Sequence, residues 1–354
     1  MKRLLLIALL LFLLVVLAGG GAALWGYGQY RDFLSTPITP PDGEAAIDVK
    51  PGTSLRALGR QLEEAGLIED VSLPVVGSVF YLWAHKVEEA GPRIRAGEYL
   101  FEGPHRPGEI LEDIIAGRVR TYRITVAEGL RLDEMMPLFE EAGVASAKEL
   151  LDLVFDRDFV SSLGIEADSL EGYFFPTTYH LPKGLPARRI IEGGVSHFQS
   201  AWRSAEAQRR EGIELSRHEA VTLASIIEKE TGQAHERPKI SCVFHNRLQD
   251  NWRLQTDPTV IYAKILRHGE WDGRLTRNDL ETPHPYNTYT MRGLPPGPIA
   301  SPGLEALKAA LNPPDCPYYF FVSRNDGTHE FCVDYACHTR AVRRWQNPRY
   351  GMDR

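Results

Sequence analysis

The chain has 354 residues, 43% hydrophobic, 25% charged and 10% aromatic, a globular composition that excludes a disordered, collagen-like or polytopic membrane protein. Its 40 Lys and Arg against 47 Asp and Glu leave a formal charge of −7 with no basic run interleaved with aromatics, so no nucleic-acid partner is expected. At roughly one to two hundred residues per domain, the length predicts about two folded domains.

After Lys2 and Arg3 no charged side chain occurs until Arg31. About twenty apolar residues in a helix cross a bilayer, so Leu4 to Gly26 predicts a single-pass transmembrane anchor within residues 1–30. Lys2 and Arg3 place its N-terminus in the cytoplasm, Trp25, Tyr27 and Tyr30 stand where an interfacial aromatic belt would, and all that follows is extracytoplasmic. The alternative is a cleaved signal peptide with an apolar region from Leu4 to Leu17 and a small-residue site near Ala18. Residues 31–45, with Pro37, Pro40, Pro41, Asp42 and Gly43, read as an extended linker.

From Ile47 to Val49 the chain reads as a strand, Pro51-Gly52 as a turn, and Leu55, Leu58 and Leu62 as the stripe of a helix that stops at Gly66. The pattern returns 77 residues later without a gap. Val126, Gly129, Leu132, Met135, Phe139 and Glu140-Glu-Ala-Gly143 fall on Val49, Gly52, Leu55, Leu58, Leu62 and Glu63-Glu-Ala-Gly66, which predicts a duplicated βα unit. Between the copies, Ala96 to Phe101 alternates like a strand, and Pro107 opens a helix through Ile110 and Ile114 that Gly117 ends. Residues 46–121 are thus a small α+β module and 122–345 a larger, mainly helical α+β domain, with 346–354 a tail. A Gly-, Pro-, Asn- and Thr-rich stretch from about 269 to 303 is expected to line a site, since ligand-contacting groups favour loops on a rigid scaffold.

Cys242, Cys316, Cys332 and Cys337 would lie in an oxidising compartment, where one or two disulfides form in a pairing the sequence does not reveal. The segment His329-Glu-Phe-Cys332-Val-Asp-Tyr-Ala-Cys337-His338 carries two thiols and two imidazoles, but at no spacing of a zinc motif, and no metal is expected. No phosphate-cradling loop or Ser-His-Asp order stands out, and Gly19-Gly20-Gly21 lies in the membrane segment.

Two constellations carry chemistry. Glu171 stands directly before an aromatic run, Gly172-Tyr173-Phe174-Phe175-Pro176-Thr177-Thr178-Tyr179. Burial among aromatic faces raises a carboxyl pKa and makes a general acid usable near neutral pH, while the rings offer surfaces for stacking sugars. The bland alternative is a surface Glu beside a core cluster. The second constellation is a helix opened by the capping box Ser216-Arg-His-Glu219, whose stripe Ala220, Leu223, Ala224 and Ile227 is flanked on opposite sides by Glu228 and Glu230. The alternative for that pair is structural ion pairing with Arg237 or Arg247.

These residues carry a resemblance. Ala224-Ser-Ile-Ile-Glu228-Lys-Glu230-Thr231, Glu236-Arg237, Val243-Phe-His-Asn246-Arg247-Leu248, Leu254-Gln255-Thr256-Asp257-Pro258-Thr259-Val260-Ile261-Tyr262, Tyr286-Asn287-Thr288-Tyr289 and Gly293-Leu-Pro-Pro-Gly297-Pro-Ile-Ala-Ser-Pro-Gly303 resemble, in order, the endolytic murein transglycosylases of the YceG-like family. The matching is clear from about 122 to 345 and looser back to 45. The resemblance implies a bacterial inner-membrane lyase, without cofactor, that cuts peptidoglycan glycan strands between MurNAc and GlcNAc and leaves 1,6-anhydro-MurNAc ends, terminating nascent strands. It implies that Glu171 is the catalytic acid, that residues 46–121 are a LysM-like module, and that penicillin-binding proteins are partners. Family members often carry an acidic residue where this chain has Thr177. Glu228 is the first candidate and Glu230 the second for supporting the oxocarbenium-like intermediate, and Tyr173, Gln255, Asp257, Asn287 and Tyr289 are candidates for holding the glycan. A lysozyme-type hydrolase using Glu228 or Glu230 as second carboxylate, and a non-catalytic wall-binding protein, are the competing readings.

Overall fold

The structure, a computed structural model, describes residues 2–69, 71–73 and 77–346. Of the expected C-terminal tail, 347–354 lies outside the described residues, as do the side chains of Lys2 and Arg3. The chain divides into two units, one running to Tyr122 and taking in Leu181–Gly184, the other comprising Arg123–His180 and the chain from Leu185 onward. Both mix helix and strand, as an α+β chain should.

The first unit holds α1 (Lys2–Ser35), β1 (Glu44–Val49), α2 (Leu55–Glu64), β2 (Ser72–Leu73), β3 (Gly77–Ser78), α3 (Val79–Lys86), β4 (Gly97–Glu102) and α4 (Pro107–Ala116). Strand β1 pairs antiparallel with β4, Ala46 opposite Leu100 and Ile47 opposite Tyr99. The alternation that pairing demands puts Ile47, Val49, Tyr99 and Phe101 into one core with Leu55, Leu58, Leu62, Phe80, Trp83, Ile110 and Ile114. Strands β2 and β3 and helix α3, which supplies Phe80 and Trp83, have no counterpart in the periodicity expected from sequence.

Helix α1 contains a stretch from Leu6 to Ser35 that is long and apolar enough to cross a membrane, and the window that qualifies it is unburied. It continues through Arg31 to Ser35, and Ile38 bridges to His105, so the extended linker expected over 31–45 is shorter than the prolines suggest. Packing explains the difference: Phe33, in the last turns of α1, is buried edge-on against Trp83.

The second unit holds β5 (Tyr122–Thr125, its first residue grouped with the first unit), α5 (Leu132–Glu141), α6 (Ala147–Val154), α7 (Arg157–Ser162), β6 (Thr178–Leu181, its last residue grouped with the first unit), α8 (Ala187–Glu206), α9 (Arg217–Glu230), α10 (Arg237–Gln249), α11 (Asp257–His268), α12 (Arg277–Glu281), α13 (Leu304–Leu311), β7 (Phe320–Ser323), β8 (His329–Cys332) and α14 (Tyr335–Trp345). Strands β5 and β6 pair, as do β7 and β8. Helix α9 is its spine: every residue from Ala220 to Ile227 is buried, and α13, α10 and α11 pack around it. Cys242 is bonded to Cys316 and Cys332 to Cys337.

The duplication is visible in the backbone. Helix α5 begins and ends 77 residues after α2, the turn glycines Gly52 and Gly129 have φ of 81° and 77°, and Gly66 and Gly143 both have φ of 67°. The helix caps match too, Ala65 at φ −82°, ψ −3° and Ala142 at φ −75°, ψ −4°.

Candidate active site

Glu171 sits in a tight turn between α7 and β6, where Tyr173 N–H donates to the Leu170 carbonyl and Leu170 N–H to the Val154 carbonyl. Two glycines permit the packing around it. Gly172 has φ +79°, and a Cβ there would lie 2.5 Å from the Pro298 side chain; at Gly194 in α8 a Cβ would lie 2.2 Å from the Phe174 ring. The aromatic run anchors the turn, with Phe174 edge-on to Phe139, Tyr173 edge-on to Phe198, and Tyr179 donating to the Phe175 carbonyl at 2.5 Å.

The Glu171 carboxyl is consequently buried, with 6% of the residue exposed. Its Oε2 accepts from Leu132 N–H, the first amide of α5, at 3.4 Å, while Oε1 has no hydrogen-bond partner among the described residues. Loss of water pushes the carboxyl pKa up to about 8; the Leu132 amide opposes this, Asp133 adds to it, Arg131 opposes it and Glu134 adds to it. Arg131 grips Asp133 with two hydrogen bonds of 2.9 and 3.0 Å and Glu134 at 3.1 Å. Burial and the nearby Glu171 also raise the phenol pKa values of Tyr262 and Tyr286, the latter to about 12, and their rings lie 4.9 Å apart. Arg131, Asp133, Tyr262 and Tyr286 are thus electrostatic neighbours of the acid. None was singled out in the sequence, although both tyrosines lie within matched motifs.

The Gly- and Pro-rich segment from 293 to 303 is stitched along α9. His218 Nε2 donates to the Pro296 carbonyl at 2.7 Å, which leaves Nδ1 to accept from Tyr173 O–H at 2.7 Å. Ile299 N–H donates to Ser225 Oγ, and Gly303 N–H to Glu228 Oε2, both at 3.0 Å. The turn before α5 closes the other side through Gly129 N–H to the Ser301 carbonyl and Ser301 N–H to the Leu130 carbonyl, both 2.9 Å. The segment therefore roofs Glu171, with Pro298 against Gly172.

Glu228 and Glu230 diverge, as their flanks of α9 dictate. The Glu228 side chain is only 5% exposed, one oxygen 2.6 Å from Arg237 and the other on Gly303 N–H. Glu230 accepts from Thr256 Oγ1 and lines a cavity of about 490 Å³ with Arg247, Gln255, Asp257, Tyr289, Phe320 and others. Burial pushes the Glu230 carboxyl up to about 7, with the Thr256 hydroxyl and Arg247 opposing and Asp257 reinforcing. Tyr289 O–H donates to Asp257 at 2.6 Å. Glu230, Gln255, Asp257 and Tyr289 are thus brought together, and Glu171 is not among that cavity's lining residues. Asn287 instead spends its amide inside its own loop, donating to the Asp279, Leu280 and Thr282 carbonyls and accepting from Tyr289 N–H. Arg247 donates to the Tyr319 and Leu254 carbonyls and Asn246 to those of Cys316 and Tyr318. Much of the motif pattern therefore builds scaffold. The thiols of the His329–His338 segment are consumed by the Cys332–Cys337 bond.

A family model, the YceG-like family, matches residues 47–344. An endolytic murein transglycosylase of Bacillus subtilis (strain 168) is 28% identical over 315 residues, covering 84% of this chain and 84% of that protein. One from Streptococcus pneumoniae serotype 2 is 26% identical over 346 residues, covering 84% of this chain and 58% of its own length. Among solved structures, that of a YceG-like protein from Listeria monocytogenes superposes with a TM-score of 0.56 at 28% identity, over 84% of this chain and 98% of that one.

Proposed function

This chain belongs to the YceG-like family, and from that premise we propose that it is a membrane-anchored endolytic lytic transglycosylase that cuts peptidoglycan strands between MurNAc and GlcNAc, with Glu171 as its acid and base. The observation that carries the reading is the Glu171 carboxyl itself, buried, with Oε1 lacking a hydrogen-bond partner among the described residues and a pKa pushed up to about 8, and so protonated at neutral pH.

Glu171 donates its proton to the leaving glycosidic oxygen, and the C1–O bond breaks to leave an oxocarbenium-like MurNAc. The Leu132 amide and the Arg131 guanidinium stabilise the carboxylate so formed. The substrate's own C6 hydroxyl, held beside C1, then closes on it, and Glu171 recovers its proton from that hydroxyl, giving a 1,6-anhydro end without water as reactant. A single acid suffices, whereas a hydrolase needs a second carboxylate for water. With both oxygens of Glu228 engaged, a scaffold role fits it better than the supporting role expected, and the substrate's N-acetyl group is the simpler source of support. Glu230, Gln255, Asp257 and Tyr289 hold the glycan in their cavity, whose volume is within the range of small-ligand sites. The raised Glu230 carboxyl beside Asp257 favours one second reading, a lysozyme-type hydrolase.

Helix α1 anchors the chain in a bacterial inner membrane, N-terminus in the cytoplasm by its basic tip; the two disulfides suit an oxidising exterior. The first unit, with α2 and α3 between paired strands β1 and β4, is read as a LysM-like glycan holder, and the tether places the site where new strands emerge, beside penicillin-binding proteins. In purified full-length protein, Glu171→Gln is expected to abolish release of soluble fragments from peptidoglycan with circular dichroism unchanged. Activity retained in that variant overturns the assignment of Glu171.

A further inference from the structure

The cavity that Glu230, Gln255, Asp257 and Tyr289 line is completed by Phe320, His329, Tyr335 and His338, from β7, β8 and α14. That hairpin and helix share a small core of their own around Val322, Cys332 and Ala341. Tyr335 is 70% exposed, yet its backbone is held on both sides. The Cys332–Cys337 disulfide closes the short loop that contains it, and Asp334 caps α14 by accepting from Cys337 N–H at 2.7 Å. The Tyr335 ring meets His338 at 5.9 Å and 26°, and Phe320 at 6.1 Å; Trp252, 43% exposed, meets Phe320 edge-on at 6.0 Å. An exposed ring on a backbone already ordered loses little freedom when a ligand covers it, and flat apolar rings are surfaces on which sugar rings stack.

His329 adds a fixed polar group to the same cavity. The buried Glu236 carboxylate accepts from His329 N–H at 2.9 Å and from its Nδ1 at 2.7 Å. With the Nδ1 proton committed to Glu236, the neutral ring presents Nε2 as an acceptor, and that atom has no hydrogen-bond partner among the described residues. Aromatic rings together with fixed hydrogen-bonding groups in one cavity match a sugar, which has an apolar face and a rim of hydroxyls. We infer that Tyr335 and His329 form a distal glycan subsite, where a sugar ring stacks on Tyr335 and one of its hydroxyls donates to His329 Nε2, with Glu236 as the positioning residue. The inference rests on the proposed function and deepens it. Because Glu171 is not among the lining residues, the sugar held here is remote from the bond that is cut, and its binding energy positions the strand for the acid. An enzyme so built favours strands long enough to fill both places.

Calorimetric titration of full-length Glu171→Gln protein with peptidoglycan glycan fragments of graded length provides the test, since the fragments stay intact. Affinity is expected to step up once a fragment reaches from Glu171 to Tyr335. Adding Tyr335→Ala, at an exposed position, should weaken binding of those longer fragments about tenfold, whereas Tyr335→Phe, which keeps the ring, should preserve it. Hydroxyl-radical footprinting of the same samples should show Tyr335 protected by the longer fragments and not by the shorter ones. Affinity that does not rise with length, a step that survives Tyr335→Ala, or a Tyr335 left unprotected overturns the subsite and leaves the transglycosylase reading standing. Wild-type protein that cleaves no strand, with a Glu171→Gln protein that binds no fragment, overturns that reading and the subsite with it.

Discussion

The first amide of α5, Leu132 N–H, lies 3.4 Å from Glu171 Oε2, so the start of one helix meets the acid from a turn 39 residues later. Leu132 is the counterpart of Leu55 in the first copy of the βα unit. A helix N-terminus favours a carboxylate, yet burial outweighs it and the proton stays on. The contact therefore offers its benefit after proton donation, when the charge appears.

Because the folded-state pKa of Glu171 is raised from 4.5 to about 8, stability carries a pH signature. Below pH 4.5 folded and unfolded chains both hold the proton. Between there and about pH 8 the unfolded chain releases it and the folded chain keeps it, so stability falls as pH rises and levels off above 8, by up to about 5 kcal/mol at 1.4 kcal/mol per unit. Glu171→Gln removes this slope. Urea unfolding at several pH values should show the variant's advantage growing from acid to alkaline conditions; parallel curves contradict the buried, protonated acid.

Asp133 opposes ionisation of Glu171, so Asp133→Asn should lower the pKa of the acid. Asp133 is half-exposed and its effect is screened, so the basic limb of the pH–rate profile should move to lower pH by less than about one unit. A limb that stays or moves up would place Asp133 elsewhere in the electrostatics.

Glu228 and Glu230 should separate cleanly. Glu228→Ala strips Arg237 of its closest partner and leaves the Gly303 amide unpaired, a loss of about 3–5 kcal/mol measured by denaturant unfolding. Glu230→Gln keeps an acceptor for Thr256 and should stay within about 1 kcal/mol of wild type while weakening glycan binding. Equal destabilisation by the two changes would contradict the split.

Gly172→Ala tests the roof over the acid. Gly164→Ala is the control, since Gly164 also has positive φ but open space around its Cβ position, whereas at Gly172 the new methyl meets Pro298. The control should cost about 1–2 kcal/mol of backbone strain; Gly172→Ala should cost clearly more and reduce cleavage as well.

The duplicated βα unit was legible because a leucine stripe and its turn glycines are local, and both copies adopt one backbone. The opposite flanks of Glu228 and Glu230 followed from helical spacing, and the Glu228–Arg237 pair was among the partnerships spacing allowed. The surroundings of Glu171 were not legible: Arg131, Asp133, Tyr262 and Tyr286 are brought to it from three separate stretches, and no local period records that approach. Resemblance and polarity put Asn287 among the glycan-holding candidates, whereas its three carbonyl partners place it inside its loop. The prolines at 37, 40 and 41 suggested an extended linker over 31–45, but burial of Phe33 in the first unit's core carries the helix on to Ser35.

The measurement closest to the central claim is mass spectrometry of the ends released from uncrosslinked glycan strands by wild type, Glu171→Gln and Glu230→Gln. Anhydro-MurNAc ends from wild type, none from Glu171→Gln, and the same anhydro ends at a lower rate from Glu230→Gln are expected. Reducing ends from wild type that vanish with Glu230→Gln would contradict the account and make the protein a two-carboxylate hydrolase.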